Sequence, residues 1–279
     1  MHFDLKETAQ DHVIVVAHRG VAGGNIPCNT IAAYEIALAH GADMIETDIS
    51  RSADGTLFIF HPRAEYPHLN QRISIPQMTD AEIRQLRYVN TDHAPTQFGL
   101  ATFDELLETF KGRCYINIDK FFDHPAEICN ILKRHNMRDQ ILVKSDPSEH
   151  VFRVLEELAP DLAYIPFIHH KMEIHEELKR RNINYIGAEV LFTSDDAPVA
   201  SEEFRDMMHK EGMLLWGNAI VYDYKDQLSN FHSDDTSLTG DPDNGWGWLA
   251  RHGFDFIQTD WTMAMIQYLK ANNLYYRNK

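Results

Sequence analysis

Cysteine is scarce in this chain. Cys28, Cys114 and Cys129 are the only three among 279 residues; they form no CxxC and cannot all pair. A disulfide scaffold is therefore not expected, and the three read as small buried or semi-buried residues. Positive charge is also in short supply. Lys and Arg number 26 against 42 Asp and Glu, a formal net charge of −16. Such a balance argues against nucleic acid or anionic membrane as the main partner. It leaves a phosphate substrate open, because a local cation can reverse the field at a site. No apolar run approaches the length of an integral membrane segment, and no low-complexity tract or linker divides the chain. Met1 to Lys6 contains no signal-peptide core. Taken as a natural N-terminus, that predicts a cytoplasmic protein; a removed leader would predict a periplasmic or secreted one.

What is present is a regular alternation. Hydrophobic residues make up 44% of the chain, ample for a large core. Short β-branched or aromatic runs read as buried strands at residues 13–17, 43–49, 114–119, 140–144, 162–167, 184–190, 213–218 and 254–259. Amphipathic stretches lie between them: Asn29 to Ala39, Phe103 to Phe110, Pro125 to His135, Pro147 to Leu158, Lys171 to Arg181, Ser201 to Glu211, and Thr262 to Ala271. Thr102-Phe103-Asp104-Glu105 has the form of a capping box. Eight strands alternating with helices predict an α/β fold, a (β/α)₈ TIM barrel forming one domain over residues 1–279. Two segments exceed ordinary connections and are expected on the catalytic face. One is an insertion after the second strand, about residues 51–101. The other, about 219–248, carries Trp246 and Trp248.

The polar residues that close these runs carry the chemistry. His18-Arg19-Gly20 ends the first strand, Glu46-Thr47-Asp48 ends the second, and His61 ends a further run, Leu57 to Phe60. Polar residues at strand C-termini are where a parallel barrel keeps its reactive groups. Glu46 and Asp48 are two apart, so a regular strand points both to one face. Charged groups there are costly unless paired or metal-bound. Asp119 ends the neighbouring third strand, and three carboxylates form an oxygen-rich pocket suited to one divalent cation, Mg²⁺ or Ca²⁺, rather than zinc. With two histidines and Arg19 alongside, the set points to metal-assisted attack on a phosphoester.

The stretch from His18 to His61 resembles the glycerophosphodiester phosphodiesterases. It matches their His-Arg-Gly, their Pro-Glu-Asn-Thr turn (here Pro27-Cys28-Asn29-Thr30), Gly41-Ala42-Asp43, Glu46-x-Asp48 and the second histidine. Leu100 to Leu107 and Phe254 to Asp260 look like the family's post-insertion helix and last strand. The resemblance implies that His18 and His61 form a catalytic acid–base pair, with Arg19 contacting phosphate. It further implies that Glu46, Asp48 and Asp119 hold the metal, and that Trp216 lies near the substrate. Three departures stand out: Cys28 replaces a glutamate, Pro62 replaces the Asp after the second histidine, and Glu-x-Lys becomes Asp119-Lys120. On a regular strand Lys120 would face the helical layer, unless a bulge restores it, leaving Lys144 as the substrate-binding cation. The implied function is metal-dependent hydrolysis of a small glycerophosphodiester-like substrate to an alcohol and a phosphomonoester. A lyase or phospholipase D-like enzyme on a larger phosphodiester, or an inactive phosphodiester-binding barrel, remain alternatives. His169, His170 and His175, the aspartates Asp234, Asp235, Asp241 and Asp243, and Lys179-Arg180-Arg181 are expected to be a solvated surface, a polar lid and a solvated helix end, respectively.

Overall fold

The apolar runs become strands because neighbouring runs can bury both faces of one another. The computed structural model describes residues 2–169, 172–225 and 227–277. Its strands are β1 (Ile14–Ala17), β2 (Met44–Thr47), β3 (Ile49–Arg51), β4 (Leu57–Ile59), β5 (Tyr115–Ile118), β6 (Ile141–Ser145), β7 (Ala163–His169), β8 (Asn184–Tyr185), β9 (Gly187–Leu191), β10 (Leu214–Asn218) and β11 (Phe256–Thr259). Parallel pairing runs β6-β5-β2-β1-β11-β10-β9-β7, and β6 also pairs with β7, which closes the sheet. Strands β8 and β9 share one position, so eight parallel positions form a TIM barrel. The helices Phe103–Phe110, Pro125–His135 and Thr262–Ala271 occupy the residues expected of them. The Thr102/Glu105 capping box is formed in both directions.

Side-chain alternation sorts the barrel into an apolar base and a polar upper layer. Val16, Met44, Tyr115, Leu142, Ile165, Trp216 and Phe256 pack together inside. Two residues further along their strands, facing the same way, come His18, Glu46, Asn117, Lys144, Asn218 and Gln258. The base is covered by a helix that periodicity did not reveal, Leu5–Asp11. Its Leu5 and Ala9 join the interior cluster.

The run carrying His61 lies in the segment between β2 and β5, outside the barrel wall, and two expectations further along the chain are corrected. Strand β4 pairs antiparallel with β3, and the insertion beyond it has its own core around Phe58, Phe60, Leu69, Ile83 and Tyr88. The helix expected over Lys171–Arg181 reduces to His175–Leu178, with His170 and Lys171 outside the described residues. Its His175 is buried rather than solvated: its imidazole lies 2.8 Å from the Tyr185 hydroxyl and 3.1 Å from Glu211. Among the described residues no helix is long and apolar enough to cross a membrane.

Candidate active site

The site is built where β1, β2 and β5 end. After Ala17 the chain turns sharply: Arg19 has φ +55° and Gly20 φ +80°. Glycine is required at position 20, because a Cβ there would lie 2.7 Å from the backbone of Ala33. The left-handed turn is costly for an arginine. It aims the Arg19 N–H at Glu46 Oε2, 2.9 Å away, and brings the guanidinium Nε to 3.0 Å from Asp48 Oδ2. Asn29, the family-like residue after Cys28, donates to that same oxygen at 2.9 Å. Asp48 Oδ1 is buried without a hydrogen-bond partner, with His61 Nε2 3.9 Å from it.

Glu46, Asp48 and Asp119 each present a carboxylate oxygen within 4.8 Å of the others. All are oxygen donors, one is orphaned, and the cluster is largely buried, which fits a hard divalent cation. The electrostatics agree. Burial together with the neighbouring Asp48 and Asp119 charges pushes Glu46 up to about 7. Such crowding of like charge is relieved by a bound cation.

The two histidines are pushed apart. Burial works against charging His18, but its Nδ1–H donates to Asp260 at 2.8 Å and Glu46 lies nearby, so its pKa is raised. Burial depresses His61, reinforced by Arg19 and Lys120. The sequence reading overlooked Asp260, the residue directly after β11. Its backbone N–H donates to Asp234, which also accepts from Thr259 and the Trp246 indole. Asp234 is therefore a buried clamp, not part of a polar lid, and burial raises it to about 6.

Two cations expected on different faces meet in one cavity of about 320 Å³, lined by His18, Arg19, Glu46, Asp119, Lys120 and Lys144 among others. Lys120 does not face the helical layer. Strand β5 stops at Ile118, and a left-handed Lys120 (φ +59°) swings its ammonium onto Asp119. Lys144 is 3% exposed and sits 2.7 Å from Glu189 Oε2. Trp216 does not reach the cavity: it is wholly buried in mid-strand, and its ring carries the Lys144 ammonium 4.2 Å from the centroid. Cys28 is half-buried, its thiol pushed up to about 12 chiefly by burial, so it is a neutral bystander.

Residues 164–269 match a family described as a domain of unknown function, DUF4996. A stretch of 82 residues is 38% identical to a Mycobacterium tuberculosis protein named probable glycerophosphodiester phosphodiesterase 1, covering 29% of this chain but 30% of that one. A Bacillus subtilis glycerophosphodiester phosphodiesterase is 25% identical over 225 residues, 74% of this chain and 75% of its own. Among solved structures, a glycerophosphoryl diester phosphodiesterase from Parabacteroides distasonis superposes with a TM-score of 0.77 at 17% identity, over 96% of this chain and 91% of that one. A phosphodiesterase from Oleispira antarctica, in complex with the product sn-glycerol-3-phosphate, gives 0.67 at 18% identity over 92% of this chain and 96% of that one.

Proposed function

We infer that this chain, a relative of the glycerophosphodiester phosphodiesterases in sequence and fold, is a phosphoric diester hydrolase that splits a glycerophosphodiester-like substrate by histidine acid–base catalysis. The observation that carries the reading is the pair of oppositely shifted histidines flanking a three-carboxylate cluster and a buried-side arginine. Paired titratable groups driven apart by their surroundings divide acid from base. His61, depressed, is neutral near pH 7 and takes the proton of the attacking hydroxyl at Nε2. His18, raised and held at Nδ1 by Asp260, presents its other ring nitrogen as the acid that protonates the leaving alkoxide. The nucleophile implied by the family resemblance is the substrate's own neighbouring hydroxyl, followed by water opening a cyclic phosphate. Arg19, anchored through its backbone on Glu46, offers its guanidinium nitrogens to the phosphate oxygens. Glu46, Asp48 and Asp119 would hold one Mg²⁺ or Ca²⁺, which when bound supplies positive charge for the phosphate.

Glycerophosphocholine with the purified protein tests this. Glycerol 3-phosphate and choline are expected, with loss of activity on chelation and recovery on adding Mg²⁺ or Ca²⁺. Full turnover in a verified metal-free sample defeats the metal assignment. Accumulation of a cyclic phosphate with no monoester would make the protein a lyase instead.

A further inference from the structure

The sixth barrel position contains an irregularity that reaches the cavity. Ala163 pairs with Asn184 and Tyr164 with Tyr185, whereas Phe167 pairs with Glu189. The offset between partners thus grows from 21 to 22 residues, the signature of one extra residue, a β-bulge. It falls at Ile186-Gly187 opposite Pro166, which has no N–H to give. Gly187 permits it, because a Cβ there would lie 1.9 Å from the Leu214 carbonyl oxygen. The bulge reverses the facing of everything after it. Tyr185 faces the outer core and Ile186 the barrel interior. Unbroken alternation would then point Glu189 outward. Instead Ala188 and Val190 face the outer core, and Glu189 lines the cavity.

A buried acid turned inward by a bulge meets polar groups that are not fully used. Glu189 is 5% exposed; it accepts from Asn218 Nδ2 at 2.8 Å through Oε1, while no donor is aligned on Oε2 despite the nearby Lys144. Gln258 is 3% exposed and lines the same cavity. Among the described residues its side-chain amide has no hydrogen-bond partner. Glu189 is thus held by Asn218 and by the Lys144 charge, the Gln258 amide is left open to the cavity, and both face the space in which a substrate would lie, across from the acidic cluster.

We propose that Glu189 and Gln258 are specificity-determining residues that together bind the hydroxyl remote from the phosphate in the substrate's alcohol, placing a hydroxylated alcohol in the cavity and its phosphate beside Arg19. The assignment rests on the diesterase reading for the position of the phosphate. Glu189 Oε2 accepts the hydrogen of the hydroxyl remote from the phosphate, and the Gln258 amide donates to the oxygen of that same hydroxyl. Lys144 is pinned between Glu189 and the Trp216 face, holding the acid in place.

The test uses matched ligands that differ by one hydroxyl. Sn-glycerol 3-phosphate and propane-1,2-diol 1-phosphate are titrated calorimetrically into the intact protein. The corresponding choline diesters, both of which keep the hydroxyl next to the phosphate, are compared as substrates. A site built to bond a hydroxyl rejects an analogue lacking it, so the wild type should favour the glycerol compounds by about 10-fold or more. Gln258→Leu and Glu189→Gln should each bring that ratio to within about 3-fold of unity. Gln258→Leu removes a group with no partner in the fold, so its folding is secure even if Glu189→Gln, which strands Lys144, is damaged. Lack of discrimination by the wild type, or an unchanged ratio in Gln258→Leu, overturns the proposal. If neither diester is turned over, the diesterase reading fails, while the calorimetric preference still decides the subsite.

Discussion

At the residue scale the decisive contact is the one between His18 and Asp260. An imidazole whose Nδ1–H is held by a carboxylate keeps its proton to higher pH, and the acid role proposed for His18 requires that proton. The pH profile of kcat/KM should therefore be a bell. On the proposed roles, activity should be lost on the acid side as His61 gains a proton, and on the alkaline side as His18 loses its own. Asp260→Asn removes the charge that raises His18. Its alkaline limb should move to lower pH with the acid limb in place, and a profile shifted equally on both limbs would refute the division of roles. The two lysines separate by environment. Lys144→Met leaves Glu189 buried without its cation, and breaking a buried pair costs about 3–5 kcal/mol. Lys120 is on the rim against Asp119. Thermal melts should show a large drop for Lys144→Met and a small one for Lys120→Met, the latter losing kcat instead; equal melting temperatures would contradict this.

At the scale of elements, the chain uses breaks in regularity to build its site. The Arg19-Gly20 turn after β1, the left-handed Lys120 after β5 and the bulge at Ile186-Gly187 each redirect one functional side chain. Each depends on local geometry that a regular strand lacks. Gly187→Ala should show the dependence most directly, since a Cβ collides with the Leu214 carbonyl. Overpacking of this kind costs about 1–3 kcal/mol, so the melting temperature should fall. Loss of glycerol-over-propanediol preference should accompany it as Glu189 moves. A variant with wild-type stability and preference would mean that the bulge relaxes freely.

At the scale of the whole molecule, the two chain ends are joined beneath the barrel. His12 places its Nε2 2.9 Å from Asp43, stacks its ring on Tyr275 and forms an antiparallel backbone bridge with Tyr276. The Asp43 hydrogen bond raises the His12 pKa above 6.5. A histidine raised on folding contributes stability that is fully present below its unfolded pKa and is lost as pH rises through the folded one. Melting temperature should therefore decline from about pH 6 upward, and His12→Gln should flatten that part of the curve. An identical slope in the variant would place the linkage elsewhere.

The sequence by itself determined the alternation of strands and helices, hence the barrel, and the positions at the ends of strands where Glu46, Asp48, Asp119, His18 and Arg19 stand. These follow from period-two and period-3.6 patterning and from the rule that a parallel barrel's polar residues gather at its C-terminal rim. The His18-to-His61 motif resemblance carried the chemical class as well. What only the tertiary structure decided lies where periodicity breaks or where distant segments meet. Lys120 entered the cavity because the strand ended early. Trp216 was mid-strand and buried, so an aromatic expected at the substrate instead supports Lys144. Glu189 was hidden because a single inserted residue inverts the facing of everything after it, and alternation read from the chain cannot see a bulge. Asp234 and Asp260 became a clamp on His18 only when a loop folded back across the end of β11. Local pattern depends on neighbours a few residues away, whereas these placements depend on contacts between residues 26 to 242 positions apart, which the order of residues alone does not specify.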